Sequence, residues 1–284
     1  MIKSDVTYED GNYGTLAVVR SEWNKRIEED ILRKGCTEIE FNSAKGWRGD
    51  ELPPLDALSD LLGIEILGFN IKSIDSVHVL KQLRSLGIST YCNTPIQFEN
   101  FPDLEICSLE WRKKSDSLFK CKNLKDIFIN KYPYDDLKPL QLLTKLERLA
   151  LLNSKLKSLD GIENIKNIRR LRIANLRGLT SLDGIENLSK LENLDIDTCR
   201  KITHINQLEN LENLKEVFIN NCNEIESLKP LRYLKKLEKV AFVESTNIVD
   251  GDLSPLMDRK PPLTTVAFME RKHYSHNRED FKSN

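Results

Sequence analysis

Residues 146–165 read LERLALLNSKLKSLDGIENI, and the spacing of the apolar residues in this stretch recurs along most of the chain. After Leu146, Leu149 and Leu151 lie two residues apart, which is the alternation of a strand buried on one face. The next apolar residues follow at steps of three as far as Ile165. Such steps suit a tight, partly 3₁₀ return segment on the opposite side of the molecule.

The same spacing begins anew every 20 to 26 residues. Its starts are Leu61, Leu83, Leu104, Leu124, Leu146, Ile168, Leu191, Leu214, Leu237 and Leu263. Residues 36–41 have the pattern of an earlier, degenerate first strand. One unit cannot bury its own apolar residues, and stacking of successive units does so. The repeat therefore predicts an α/β solenoid with a curved parallel sheet of about eleven strands on its concave face and short 3₁₀ or α segments on its convex face.

Both ends of the predicted array differ from the repeat. Residues 1–35 are predicted to form an N-terminal cap, with a strand at 15–20 and a helix at 22–34 that ends at Gly35. Residues 36–270 form the array, and the polar residues 271–284 are predicted to form a C-terminal cap or tail.

The composition favours no particular charged partner. Lys and Arg total 43 and Asp and Glu total 44, so net charge attracts neither nucleic acid nor an anionic membrane. No apolar run approaches the roughly 18 residues of a membrane span, and no signal peptide is expected. Six cysteines without zinc-site or disulfide-framework spacing are typical of reduced thiols. We therefore expect a cytoplasmic protein without metal or cofactor.

Two segments carry a family resemblance, LDGIENI at 159–165 and LDGIENL at 182–188. They resemble the leucine-rich repeat family, in the subclass with units of about 22 residues, to which bacterial internalins and a regulatory subunit of a eukaryotic protein phosphatase belong. The resemblance implies the solenoid fold and, for a standalone cytosolic member, a protein-binding surface. At the ninth position the family usually has Asn, whereas this chain has Ser154, Leu176, Cys199 and Cys222. Leu176 predicts a locally shifted turn.

The third, fifth and seventh positions of each repeat are expected to point out of the concave face. Arginines cluster there on two adjacent strands, an acidic patch follows, and exposed aromatic residues flank both. Arginine and aromatic side chains are common in interface hot spots. An alternative is that the arginines and aspartates only pair across neighbouring strands. The candidate partner-binding residues are Trp111, Phe128, Arg148, Arg170, Arg172, Asp195, Asp197, Glu216 and Phe218.

These features predict a monomeric, non-catalytic module that binds a folded protein partner through its concave face. A more specific hypothesis is a bacterial immunity protein that neutralises a toxin. The alternatives are a regulatory subunit of a phosphatase or kinase, and a nucleic-acid-binding protein that uses the three arginines and the basic residues 271–278. Catalysis by Asp195, Asp197 and Glu216 is not favoured, because no His, Cys or phosphate-binding loop accompanies these carboxylates on the open face. We therefore assign no catalytic and no metal-binding residue.

Overall fold

The structure, a computed structural model, describes residues 4–257 and 259–282. It comprises two compact units, Met1–Ile127 and Phe128–Asn284. The strands in the described residues are β1 (Val6–Asp10), β2 (Thr15–Val19), β3 (Glu38–Asn42), β4 (Gly63–Leu67), β5 (Ser85–Ser89), β6 (Ile106–Glu110), β7 (Asp126–Asn130), β8 (Arg148–Leu152), β9 (Arg170–Ala174), β10 (Asn193–Asp197), β11 (Glu216–Asn220), β12 (Glu224–Ile225), β13 (Lys239–Phe242), β14 (Asn247–Ile248) and β15 (Thr265–Phe268).

The helical segments are short. The α-helices are α1 (Lys25–Arg33) and α2 (Ser254–Met257). The 3₁₀ segments are Ser43–Lys45, Asp56–Leu58, Asp75–Val79, Phe98–Asn100, Asp116–Lys120, Lys138–Leu140, Ile162–Asn164, Ile185–Asn187, Asn206–Leu208, Lys229–Leu231 and Arg278–Phe281. One 3₁₀ segment thus follows nearly every repeat strand, as the apolar steps of three predict.

In the first unit, the strands β2 to β6 pair in parallel and in chain order. Strand β1 pairs antiparallel with β2, with Val6 opposite Val19. The sequence did not predict β1, because only Val6 of its five residues is buried and no alternation marks it. Helix α1 begins three residues later than predicted, since the side chain of Asn24 caps it by accepting hydrogen bonds from the backbone of Arg26 and Ile27.

In the second unit, β8, β9, β10, β11, β13 and β15 pair in parallel in that order, and the two-residue strands β12 and β14 pair separately. Their inward residues lie in register, so that Leu149, Leu171, Leu194 and Val217 form one continuous row that is at most 1% exposed. Burial of each such side chain contributes about 1.5–3 kcal/mol. This row and its neighbours form the core of the predicted solenoid.

Each strand of β8 to β11 is followed by a residue with left-handed backbone geometry. The φ angles of Asn153, Asn175, Thr198 and Asn221 are 51°, 55°, 53° and 53°. Since the angle of Asn175 matches the others, the turn at Leu176 is not shifted, and the predicted shift is wrong. Leu176 is fully buried, so packing replaces the side-chain hydrogen bond expected from a polar residue there.

The two cysteines at the same repeat position act as weak donors. The thiol of Cys199 lies 3.3 Å from the carbonyl oxygen of Asp197, and that of Cys222 lies 3.1 Å from the carbonyl oxygen of Asn220. Both side chains are fully buried. They therefore fill the turn in place of the Asn typical of the resembled family.

The described part of the C-terminal segment packs against the last strands. Tyr274 accepts a hydrogen bond from the backbone of Ile248 at 3.0 Å, and Arg278 donates to the carbonyl of Phe268 at 2.8 Å. The ring of Phe281 lies 5.7 Å from that of Phe268. These contacts fix the segment against the last strands, and its role as a cap or tail stays a prediction. Within both predicted caps, residues 1–3 and 283–284 lie outside the described residues, and the domain limits at 35 and 270 remain predictions.

The in-register core predicts that two leucines of the second unit contribute very differently to the free energy of unfolding. Replacing the fully buried Leu194 by Ala should lower the free energy of unfolding by about 2–5 kcal/mol, because a cavity opens between stacked strands. The matched control, Leu142→Ala, removes a side chain that is 65% exposed and should change it by less than about 0.5 kcal/mol. Urea denaturation measures both values. Equal losses in the two variants would contradict the proposed core.

Candidate functional site

The outward residues of β8 to β11 form one surface of the second unit, which we call the charged face. The register aligns the first residues of these strands, namely Arg148, Arg170, Asn193 and Glu216. The third residues also align, namely Ala150, Arg172, Asp195 and Phe218. Asp197 lies one outward position further along β10. Seven of the nine candidate residues therefore lie on four consecutive paired strands.

One pair on the charged face behaves as simple cross-strand pairing predicts. The Nε atom of Arg172 lies 3.2 Å from Oδ2 of Asp195, and the two side chains are 51% and 33% exposed. Burial nevertheless raises the pKa of Asp195, with Arg172 opposing the shift and Asp197 adding to it. The attraction to Arg172 therefore offsets only part of the desolvation penalty of the Asp195 carboxylate.

The three acidic candidates do not share one environment. Glu216 accepts hydrogen bonds from Lys239 at 2.8 Å and from Asn193 at 2.6 Å, and the contact with Lys239 is the main cause of its lowered pKa. Asp197 accepts a hydrogen bond from the hydroxyl of Thr198 at 2.5 Å and has no ion-pair partner among the described residues. The negative charge available to a ligand is thus greater at Asp197 than at Glu216.

The arginines that begin strands β8 and β9 form a like-charged pair. Arg148 and Arg170 lie opposite each other on adjacent strands, and both are exposed. The side chain of Arg170 makes no hydrogen bond or ion pair with any other residue that the structure describes, although its charge contributes to the lowered pKa of Glu216. Like charges placed directly opposite each other destabilise a sheet. The register therefore brings two positive charges together at the starts of β8 and β9.

The aromatic candidates are divided between the units. Phe218 is half-buried and lies in register with Asp195. Phe128, also half-buried, lies within β7 and begins the second unit. Trp111 belongs to the first unit, where it follows β6 and stacks on Phe119 with ring centroids 5.5 Å apart. The structure thus adds Phe218 to the charged face and describes Trp111 in a different unit.

Two clusters of ion pairs that the sequence analysis missed, one in each unit, lie beside the strand starts, at the residue after the first apolar residue of the repeat. In the second unit, Glu192 contacts Arg169 at 2.5 Å and Lys215 at 2.9 Å. In the first unit, Glu105 contacts Arg84 and Lys125 at 2.6 and 2.9 Å. The sequence contains a pattern that could have revealed these contacts, because the sign of the charge alternates strictly at this repeat position. The residues are Arg84, Glu105, Lys125, Glu147, Arg169, Glu192, Lys215 and Glu238.

The two buried thiols of the second unit are unreactive. Burial raises the pKa of Cys199 to about 12 and that of Cys222 to about 11, so neither thiol is activated as a nucleophile. Within 4–257 and 259–282, no group of three or more His, Cys, Asp or Glu side chains is arranged to hold a metal ion. No helix in the same ranges has both the length and the apolar character required to span a bilayer.

Sequence comparison finds one related family model and no related curated protein. The model, described as R13L1/DRL21 leucine-rich repeats, matches residues 152–222, which include the whole of β9, β10 and β11. No curated protein sequence matches the chain significantly. The match covers the centre of the charged face.

Several solved structures share the fold at low sequence identity. An internalin, InlF, from Listeria monocytogenes superposes with a TM-score of 0.61 at 19% identity, over 77% of this chain and 66% of that one. The chain therefore spans just under two thirds of that internalin. The leucine-rich repeat protein LIC12759 of Leptospira interrogans gives a TM-score of 0.59 at 17% identity, over 90% and 73% of the two chains.

A plant receptor shares the fold as well. The leucine-rich repeat ectodomain of the membrane receptor kinase GASSHO1/SCHENGEN3 from Arabidopsis thaliana, solved in complex with CASPARIAN STRIP INTEGRITY FACTOR 2, gives a TM-score of 0.54 at 17% identity. The match covers 83% of this chain and 29% of the receptor chain. At these identities the three structures establish the fold alone.

The opposite pKa shifts of two acidic residues predict opposite effects of neutralising them. Asp195→Asn should raise the free energy of unfolding at pH 7, because the charged form of a group with a raised folded-state pKa destabilises the fold above that pKa. Glu192→Gln should lower the free energy of unfolding at pH 7. Contacts with Lys215 and Arg169 lower the pKa of Glu192 in the folded state, so its charge stabilises the fold at any pH above the unfolded-state pKa of about 4.3.

Urea denaturation at pH 7 and at pH 3 tests this pair of variants. At pH 3 the Asp195→Asn variant should differ little from the wild type, because Asp195 is largely protonated in both states of the wild type. The effect of Glu192→Gln should shrink as the pH falls through the folded-state pKa of Glu192. If both variants shifted stability in the same direction at pH 7, the assigned environments would be wrong.

Proposed function

We propose that this protein, which has the leucine-rich repeat fold, binds a folded protein partner through the charged face of its second unit. The observation that carries the proposal is the exposed side chain of Arg170 at the start of β9, which makes no hydrogen bond or ion pair with any other described residue. Arginine and aromatic side chains, here joined by Phe218, are those that most often dominate binding energies.

Binding rather than catalysis fits the open surface of a strand array. Stacked repeats present an extended surface of the kind that usually binds macromolecules. The plant ectodomain with the same fold was solved in complex with a named factor, which is a property of that protein and supports the analogy here. We propose a monomer that acts without a cofactor, and the six free thiols favour the reducing cytoplasm as its location.

Our more specific proposal is a bacterial immunity protein that neutralises a toxin. The charged face combines a free cation at Arg170, a free anion at Asp197 and the half-buried ring of Phe218. A mixed surface of this kind complements a folded protein that has charges of both signs. A regulatory subunit of a phosphatase or kinase would use the same surface, and the identity of the partner distinguishes the two.

A nucleic-acid ligand is less favoured by the same contacts. Arg172 is paired with Asp195. In the basic segment 271–278, Arg271 and Arg278 donate hydrogen bonds to backbone carbonyls, which ties both to the C-terminal repeats. Nucleic-acid binding relies on several cations free to neutralise phosphates, and it weakens steeply as salt increases.

The proposal predicts that reversing two charges abolishes partner capture. In Arg170→Glu/Asp197→Lys the net charge stays the same while both free charges of the charged face change sign. Affinity for the partner should fall at least about tenfold, because each reversed charge now repels its counterpart. The matched control, Glu212→Lys/Lys235→Glu, exchanges two exposed charges outside the strands and should bind as the wild type does.

Affinity capture from the lysate of the source cell, followed by mass spectrometry, measures the effect. One stoichiometric protein captured by the wild type and the control, but not by the charged-face variant, is the expected result. Toxicity of that protein when expressed alone, relieved by co-expression, would identify an immunity function. Capture that is unchanged in the charged-face variant would refute the proposed surface, and salt-sensitive capture of nucleic acid would favour the alternative.

A further inference from the structure

We propose that the sheet face of the first unit contains a binding pocket for an ammonium or guanidinium group at the end of an alkyl chain. A cavity of about 330 Å³ lies there. This volume is at the lower limit of small-molecule pockets, so it suits one side chain or one small amine. The inference is independent of the proposed function, which concerns the second unit.

The cavity has a floor of small residues and a roof formed by a turn. At the outward positions of β4, β5 and β6, four small residues form most of the floor between Glu65 and Ile106, namely Gly63, Ser85, Gly87 and Ser108. Residues 10–12, at the turn between β1 and β2, line the cavity from the other side. Tyr13 anchors this turn, because its ring lies 4.4 Å from the guanidinium of Arg84 and its hydroxyl lies 3.5 Å from the carboxylate of Glu105.

A buried carboxylate without a cation lines the cavity. Glu38 is only 5% exposed, and its Oε1 atom accepts a hydrogen bond from the backbone of Tyr13 at 2.5 Å. Its Oε2 atom has no donor, and the carboxylate has no ion-pair partner, among the described residues. Burying an unpaired carboxylate is strongly unfavourable. A cation in the cavity would therefore pair a charge that the folded chain leaves uncompensated.

Two glycines make room for the acidic side chains. A Cβ atom at residue 63 would lie 2.7 Å from Oε2 of Glu38, and one at residue 87 would lie 3.1 Å from Cγ of Glu65. Neither glycine has a positive φ, so the backbone itself does not require glycine at either position. The requirement is space, because each glutamate lies across the glycine of the neighbouring strand.

The remaining walls define the chemistry of the ligand. The carboxylate of Glu65 lines the cavity without a hydrogen bond or ion pair to any described residue. Desolvation, followed by the charge of Glu40, raises its pKa, and the charge of Lys45 opposes the shift. Leu16 and Ile106 add apolar surface, and the hydroxyls of Ser85 and Ser108 are free to accept hydrogen bonds. Carboxylates beside an apolar wall match a cationic head on an alkyl chain. The head is supplied either by a lysine or arginine of a protein partner or by a free alkylamine.

Three small probes, titrated into the full-length protein, test the pocket. Butylammonium supplies the free amine, Nα-acetyl-lysine methylamide supplies the side chain of a partner, and butanol is the uncharged control. The amide NMR resonances of Gly63 and Gly87 should shift saturably with a cation, with a dissociation constant on the order of a few millimolar, as expected for so few atoms. Binding of the blocked lysine identifies a partner side chain as the source, and binding of butylammonium alone identifies a free amine.

Three variants locate the binding. Glu38→Gln removes the charge but keeps an oxygen for the Tyr13 amide, and it should weaken binding at least about tenfold, the loss expected for a charge-assisted hydrogen bond. Gly87→Val fills the floor and should abolish binding. The matched control, Glu51→Gln, removes an exposed carboxylate outside the cavity and should leave binding unchanged.

Thermal unfolding separates loss of binding from loss of structure. Glu38→Gln should unfold at a temperature no lower than the wild type, because it removes an unpaired buried charge. Cationic probes should raise the unfolding temperature of the wild type but not that of Glu38→Gln. The proposal is overturned if no cation shifts the two glycine resonances, if butanol binds equally well, or if Glu38→Gln binds as tightly as the wild type.

Discussion

Stacking of apolar rows in register is the constraint on which the rest of this protein depends. A single strand with its return segment cannot bury its own apolar side chains, so it gains stability from the units stacked on either side of it. The row from Leu149 to Val217 illustrates this, since every member contacts an equivalent residue on the next strand. Because the stack fixes the register, it also fixes which outward side chains become neighbours. The surface chemistry is thus a consequence of the core.

The periodic part of the fold could be predicted from the sequence, and the non-periodic part could not. Leu171 and Ile173 belong to a pattern that repeats many times, so an irregular residue in one repeat does not change the predicted fold. Strand β1 has no such support, because it belongs to a hairpin stabilised by pairing with β2 rather than by its own buried residues. Leu176 was misread because a hydrogen-bonding rule was applied where packing alone satisfies the turn.

The candidate site was predictable in outline and not in its electrostatics. Alternation alone indicates that Arg170 and Asp197 face outward, and the register then places them at opposite ends of two neighbouring strands. Whether a charge is free depends on which side chains reach it from neighbouring strands, as Lys239 reaches Glu216 and Arg172 reaches Asp195. The cavity at Glu38 depends on a turn that folds over distant strands, and no local pattern in the sequence reports such a contact.

The alternating ion pairs beside the strand starts constrain how the array can change its length during evolution. Glu192 lies between Arg169 and Lys215, so deletion of its repeat would bring two cations together. Deletion or duplication of two repeats would restore the alternation. The ion pairs therefore favour the gain or loss of repeats in pairs, by an amount on the order of 1 kcal/mol, although the apolar core alone would permit gain or loss of single units.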